Sequence, residues 1–174
     1  MAKHQVFFSF EFGKDAWRAG QVRNMGKVDE SSTFSDNDWE EVKCKKDEDI
    51  EAWIDSQMKK RSCIVVLIGN TTSTRKWVKY EIKKAYELNK GMVGIYIHNL
   101  KDKDGNKTEK GTNPFYSVCA NNGERLSKYV TCFDSSSSKS EDVYDDISKN
   151  IERLIEDALR QHRTIPPINS RKSS

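Results

Sequence analysis

One carboxylate in this sequence lies where a charge is unexpected. Residues 74–90, TRKWVKYEIKKAYELNK, have the periodicity of an amphipathic helix with its lysines on one side. Glu81 falls in the middle of the opposite, apolar arc, one helical turn after Trp77. Burying an ionised carboxylate is unfavourable unless it is paired or hydrogen-bonded. The position of Glu81 therefore needs a physical explanation.

Three explanations of Glu81 can be compared. The helix dipole favours carboxylates near a helix N-terminus, but Glu81 is about two turns into the helix, beyond the range of that effect. Glu81 could instead form a buried ion pair with Arg18 or Arg23. It could also be a functional carboxylate at the rim of a cleft, with Trp77 beside it. The periodicity alone does not choose between the last two.

A second chemically suggestive segment is SFEFGKDAWRAGQVRN, residues 9–24. Its aromatic rings can stack on a planar base, and guanidinium groups such as that of Arg18 can hold phosphates. The structural alternative is that the rings of Phe7, Phe8 and Trp17 belong to the hydrophobic core. The segment thus indicates either a ligand with a flat ring and phosphates, or packing.

The common nucleotide and metal motifs are absent. The sequence contains no GxGxxG and no GxxxxGK[ST], which argues against a dinucleotide fingerprint and a P-loop. Its four cysteines include no CxxC pair, and its three histidines have no ligand spacing. The stretch DKDGNKTEK at residues 102–110 departs from EF-hand spacing. We therefore expect no metal site.

Alternating strands and helices must position these residues. Apolar runs predict strands at residues 5–10, 63–70, 91–99 and 129–133, with a weak one near Thr33–Phe34. Amphipathic patterns predict helices at residues 13–24, 47–61, 74–90 and 140–162. Such alternation is typical of right-handed βαβ units. We expect an α/β fold: a flavodoxin-like three-layer sandwich with a five-stranded parallel sheet, in the order 2-1-3-4-5.

Ligands of such sheets bind beyond the carboxyl ends of the strands, at the switch between the first and third. Two loops meet there: one follows FFSF, and the other follows VVLIGN and leads into the Glu81 helix. We expect five residues at these strand ends to lie near Glu81 as substrate-binding candidates: Ser9, Phe10, Phe12, Asp15 and Arg18.

Length and charge fit one domain of ordinary size. The chain has 174 residues and a net charge of +3 made from many charges of both signs. We expect one domain over residues 1–163 and a flexible tail over residues 164–174. No apolar run approaches the roughly 20 residues of a membrane span, and no signal peptide is apparent. We therefore expect a cytoplasmic protein with neither membrane nor nucleic-acid partners.

Three motifs in combination resemble a known family. The segments VFFSFEFGKDAWRAGQVRN and IVVLIGNTTSTRKWVKYEIKKAYELNKGMVGIYIHNLKDKDGNKTEKGTNPF resemble the TIR-like domain family of the bacterial Thoeris antiphage protein ThsB, over about residues 4–160. The motifs are DxWRxxxVRN, WVKYEI and KGTNPF. The resemblance implies a TIR-like domain with Glu81 as the catalytic residue and Trp77 beside it in the substrate site.

The resemblance also implies an activity. TIR domains of this kind cleave NAD and make a cyclic ADP-ribose isomer or a related conjugate, which activates a separate effector protein. NAD is then the substrate, and no cofactor is implied. A phage component as the trigger and self-association of the chain are also implied. The alternative is a TIR-like scaffold or interaction domain without enzymatic activity.

Overall fold

A parallel sheet flanked by helices forms the framework of the protein. The computed structural model describes residues 4–29 and 41–167. The strands are β1 (Val6–Ser9), β2 (Cys63–Ile68), β3 (Gly91–Tyr96) and β4 (Cys132–Phe133). The principal helices are α1 (Phe12–Arg23), α2 (Asp47–Lys59), α3 (Lys76–Glu87) and α4 (Ser140–Gln161).

The sheet has the order β1-β2-β3-β4 within the described residues, and every pair is parallel. Val6 pairs with Cys63, and Cys63 pairs with Gly91, so β2 is an interior strand. The α/β class and the parallel sheet are thereby confirmed. The weak strand predicted near Thr33–Phe34 lies outside the described residues. A fifth strand and the full order 2-1-3-4-5 stay predictions.

Side chains alternate between two apolar layers, because successive residues of a strand point to opposite faces of the sheet. One face packs against α2 and α3 through Phe7, Ile64, Val66, Ile54 and Ile82. The other face packs against α1 and α4 through Phe8, Val65, Leu67, Ala19 and Ile151. The helices on both faces explain why β2 and β3 are continuous apolar runs rather than alternating ones.

Some elements are shorter than the sequence predicts. Residues 72–74 form a 3₁₀ turn, so α3 begins only at Lys76. The helix ends at Glu87, and Asn89 has the left-handed φ of 58°. The predicted last strand is reduced to β4, because only Cys132 and Phe133 pair with β3. None of the helices in the described ranges is long and apolar enough to span a membrane.

The predicted domain limit at residue 163 stays a prediction. Just beyond it, Ile165 is buried, and the hydroxyl of Tyr86 donates a hydrogen bond to the carbonyl of Pro166. These contacts attach the described part of the C-terminal segment to the layer that contains α3.

The loop after β3 packs directly on the loop after β2 at Gly111. A Cβ at this position would lie 2.2 Å from the carbonyl oxygen of Gly69 and 2.5 Å from that of Asn70. We expect Gly111→Ala to lower the free energy of unfolding by about 1–3 kcal/mol, because backbone on both sides must shift. Urea unfolding measures the change.

The matched control is Gly20→Ala within α1. A Cβ there meets nothing within 4 Å. Alanine should therefore leave stability unchanged or raise it by up to about 1 kcal/mol, because it favours the helix and restricts the unfolded chain. Equal effects of the two substitutions would contradict the packing argument.

Candidate active site

Glu81 lies on the face of α3 that packs against the sheet. Its neighbours on that face, Val78, Ile82 and Ala85, are buried, and Glu81 itself is only 5% exposed. Ser9, at the carboxyl end of β1, donates a hydrogen bond from its hydroxyl to Oε2 of Glu81. The sheet and the helix therefore bring together two polar groups that are 72 residues apart in sequence.

The environment of Glu81 favours the protonated carboxyl group. Burial raises the pKa of Glu81 to about 8, and the hydrogen bond from Ser9 only partly opposes that rise. No cation of residues 4–29 and 41–167 forms an ion pair with Glu81. The ion-pair explanation left open by the sequence is therefore not realised within these ranges, since Arg18 pairs with Asp15 instead.

The raised pKa of Glu81 gives a pH dependence with a definite sign. Folded protein retains a proton that unfolded protein releases above pH 4.5, the ordinary value. The resulting destabilisation is absent below about pH 4.5 and complete above about pH 8. Relative to Glu81→Gln, the unsubstituted protein should lose stability on the order of a few kcal/mol between pH 5 and 8. Denaturant melts of both proteins across this range test the difference, and parallel curves would contradict it.

Asp15 and Arg18 form a buried pair beside this site. Nη1 of Arg18 lies 2.9 Å from Oδ1 of Asp15, and Arg18 is 1% exposed. The same guanidinium donates from Nε to the carbonyl of Leu100 at 2.7 Å and from Nη2 to that of Asn106 at 2.6 Å. Burial raises the pKa of Asp15, although Arg18 acts in the opposite direction. The pair thus fastens α1 to the loop after β3, and the substrate-binding role of both residues stays a prediction.

The two phenylalanines of the first loop have different surroundings. The rings of Phe10 and Phe12 have centroids 6.1 Å apart. Phe10 packs into the layer of α1 and α4, on the opposite side of the sheet from Glu81. The ammonium group of Lys43 lies 5.3 Å from the ring centroid of Phe12. Of the five candidates at the end of β1 and in α1, Ser9 is the one that the structure joins to Glu81 by a hydrogen bond. Roles for the two rings stay predictions.

Trp77 begins the face of α3 on which Glu81 lies. Its ring is partly buried and makes an edge-on contact with that of Tyr80, with centroids 5.8 Å apart. The ammonium group of Lys76 lies 4.7 Å from the ring centroid of Trp77. The ring is thus held on two sides, and its contact with substrate stays a prediction.

A polar cluster that the sequence did not reveal links the loops after β1 and β2. Glu11 is 6% exposed, and its Oε1 lies 2.5 Å from Nη2 of Arg75. The hydroxyl of Thr71 donates to Oε2 of Glu11, and Nζ of Lys14 lies 3.4 Å from that hydroxyl oxygen. The only signal of this cluster in the sequence was Glu11 itself, a charged residue between two aromatic residues directly after a buried strand. That pattern does not predict which residue Glu11 contacts.

The loop after β2 packs closely on α1. A Cβ at Gly69 would lie 2.0 Å from Oδ2 of Asp15. Two clefts, of about 530 and 770 Å³, lie elsewhere, and Glu81 lines neither of them. Within the described ranges, no three His, Cys, Asp or Glu side chains are grouped to hold a metal ion.

Comparisons with known proteins agree with the resemblance seen in the sequence. The sequence model described as "Thoeris protein ThsB, TIR-like domain" matches residues 7–102, which include both Ser9 and Glu81. A protein of Bacillus cereus (strain MSX-D12), named "Putative cyclic ADP-D-ribose synthase ThsB1", is 40% identical over 121 residues. The match covers 66% of this chain and 62% of that relative, so it spans less than two thirds of the relative's length. The chain belongs to the ThsB TIR-like family.

Proposed function

We propose that this protein is an antiphage enzyme that cleaves NAD at Glu81 and makes a cyclic ADP-ribose-type signal for a separate effector. The observation that carries the proposal is the buried carboxyl group of Glu81, which has a hydroxyl partner in Ser9 and no cationic partner among the described residues. A carboxylate without a cation in an apolar layer lowers stability, and such groups cluster at functional sites. The name of the Bacillus cereus relative supports the same reaction class.

A single carboxylate suits the cleavage of NAD. In the reaction, the bond between ribose C1 and the nicotinamide nitrogen breaks, and its electron pair leaves with the ring. Nicotinamide is cationic in NAD and leaves as a neutral molecule, so the general acid that most glycosidases require is unnecessary. The charge of Glu81 stabilises the oxocarbenium-like transition state, while Ser9 orients the carboxylate.

Cyclisation then depends on position rather than on further acid or base strength. A nitrogen of adenine or a hydroxyl of the same molecule attacks ribose C1, and an attacking hydroxyl passes its proton to water. The internal group competes with water because it is held close to the reacting carbon. The cationic nicotinamide ring also lowers the pKa of the nearby Glu81, so substrate binding favours the ionised form that the transition state needs.

The remaining parts of the proposal concern the setting of the reaction. Phe12 and Trp77 supply aromatic surface for the substrate, Phe10 supports the ring of Phe12, and the Asp15–Arg18 pair holds the substrate loop. No cofactor takes part, and the enzyme acts in the cytoplasm. Activity responds to a phage component and to self-association. A fifth parallel strand completes a flavodoxin-like sheet in the order 2-1-3-4-5.

Mass spectrometry of cell extracts tests the proposed function. Cells that express the chain should lose NAD after phage infection and should accumulate a cyclic ADP-ribose-type nucleotide. Extracts that contain this nucleotide should activate a purified effector of the system. Protection from phage with unchanged NAD and no new nucleotide would instead establish the scaffold alternative.

A further inference from the structure

A site that binds NAD needs an accessible cation, and the substrate-binding candidates around Glu81 do not supply one. NAD carries an anionic pyrophosphate, whereas Glu81 and Glu11 place two carboxyl groups at the carboxyl end of the sheet. The guanidinium of Arg18 is 1% exposed and is bonded to Asp15 and to two carbonyl groups of the loop after β3. A phosphate would have to displace these bonds to reach it. An accessible cation must therefore come from another residue.

We propose that Arg75 binds the pyrophosphate of NAD and that Glu11 holds Arg75 in place until substrate enters. The inference rests on the proposed function, because it takes NAD as the substrate. The side chain of Arg75 is 49% exposed, while that of Glu11 is 6% exposed. Solvent and ligands therefore reach Arg75 from the side that faces away from Glu11.

Arg75 is placed at a useful distance from the reacting carboxylate. Ser9 is bonded to Glu81 and Glu11 is bonded to Arg75. Ser9 and Glu11 are two positions apart, which is roughly 7 Å along an extended chain. One short segment thus presents the carboxylate for the ribose and the guanidinium for the adjoining phosphate.

The bonds of Glu11 allow Arg75 to exchange partners. A guanidinium has five N–H groups in a planar fork, so Arg75 can bind a phosphate in bidentate fashion. Glu11 would still accept the hydrogen bond from the hydroxyl of Thr71 after Arg75 moves. Lys14, whose ammonium group lies 3.4 Å from that hydroxyl oxygen, keeps a second cation beside Glu11. Glu11 is therefore a competitor of the phosphate as well as the group that positions Arg75.

Binding measurements separate this role from a purely structural one. Calorimetry on the full chain carrying Glu81→Gln compares NAD with nicotinamide riboside, which has the same reacting bond and no pyrophosphate. Adding Arg75→Ala should weaken NAD binding by about 10- to 100-fold and leave nicotinamide riboside unchanged. Arg75→Lys should recover part of the affinity. The matched control is Lys79→Ala, which removes an exposed positive charge from α3, the helix that begins just after Arg75, and should change the affinity for neither ligand.

The substitution Glu11→Gln tests the competition. Its amide oxygen can still accept from Thr71, but the charge that competes for Arg75 is gone. NAD should then bind about 3- to 10-fold more tightly. Weaker NAD binding would show that Glu11 only braces the loops and would overturn the exchange. Thermal melts of each variant confirm that it is folded.

The inference and the proposed function fail in different ways. NAD affinity that is unchanged by Arg75→Ala overturns the role of Arg75, whatever the protein does to NAD in infected cells. If the affinity for NAD depends on Arg75 but the protein never consumes NAD, the role of Arg75 stands and only the enzymatic function is overturned. Equal weakening of NAD and nicotinamide riboside by Arg75→Ala would show a general distortion and would also overturn the inference.

Discussion

Glu81→Gln should reduce NAD cleavage by at least about 100- to 1,000-fold while the melting temperature stays unchanged or rises. The loss of rate follows because an amide carries no charge with which to stabilise the oxocarbenium-like transition state. The shape of the side chain and an acceptor for the Ser9 hydroxyl are retained. Nicotinamide release from NAD and production of the nucleotide signal in infected cells measure the rate.

The stability of the Glu81→Gln protein is informative, because a structural role for Glu81 predicts that the substitution lowers stability rather than leaving it unchanged or raising it. Removing one partner of a buried ion pair strands the other and lowers stability by about 3–5 kcal/mol. Glu81 has no such cation within the described ranges, and its burial raises its pKa to about 8. An amide needs no proton on folding, so Glu81→Gln should remove the free-energy cost of protonating Glu81 at neutral pH.

Glu87→Gln is the matched control, because it makes the same chemical change on the same helix. Glu87 lies 3.2 Å from the ammonium group of Lys84 at the surface of α3. We expect this substitution to leave cleavage unchanged and to alter stability by less than about 1 kcal/mol. A folded Glu81→Gln protein that still produces the signal would refute the choice of catalytic residue, whatever its melting temperature.

Arg18→Ala should produce the largest loss of stability among the substitutions considered. It leaves the carboxylate of Asp15 buried without its partner, and it removes the hydrogen bonds to Leu100 and Asn106. We expect a loss of about 3–5 kcal/mol in the free energy of unfolding. Urea unfolding followed by circular dichroism gives this value.

Two comparisons make the Arg18 measurement specific. Arg153→Ala removes the same side chain from an exposed pair, in which Nη1 lies 3.3 Å from Oδ2 of Asp157, and should change stability by less than about 1 kcal/mol. Combining Asp15→Asn with Arg18→Met removes both buried charges and should destabilise less than Arg18→Ala does. An Arg18→Ala protein as stable as the Arg153→Ala protein would show that the buried pair contributes little.

The class of fold followed from the sequence because local patterns encode it. The run CIVVLI is continuous, apolar and rich in β-branched residues, and it forms an interior strand covered on both faces, two residues shorter than predicted. The amphipathic periods placed α2, α3 and α4 to within a few residues. The last strand was overestimated, because YVTCF is apolar enough for a strand although most of it lies outside the ladder with β3. Pairing with a neighbour, which a local pattern does not contain, decides where such a strand ends.

The candidate site was predictable only in part, for a similar reason. Helical periodicity placed Glu81 on a buried face, and the alignment of parallel strand ends brought the loop after β1 towards it. The contact between Glu11 and Arg75 joins two irregular loops, in which side chains follow no period. The hydrogen bonds from Arg18 to two carbonyl groups could not be predicted either, because they depend on the path of the long loop after β3.

The long separation of Ser9 and Glu81 also has a consequence for chain entropy. The pairing of β2 with β3 closes a loop about half as long as the pairing of β1 with β2, and each doubling of loop length costs about 0.6 kcal/mol. Assembling the unit of β2, α3 and β3 therefore loses less chain entropy, and this unit already contains Glu81. Ser9 belongs to β1, whose pairing with β2 loses more chain entropy. A chain in which that strand is undocked carries the glutamate without the hydroxyl that orients it.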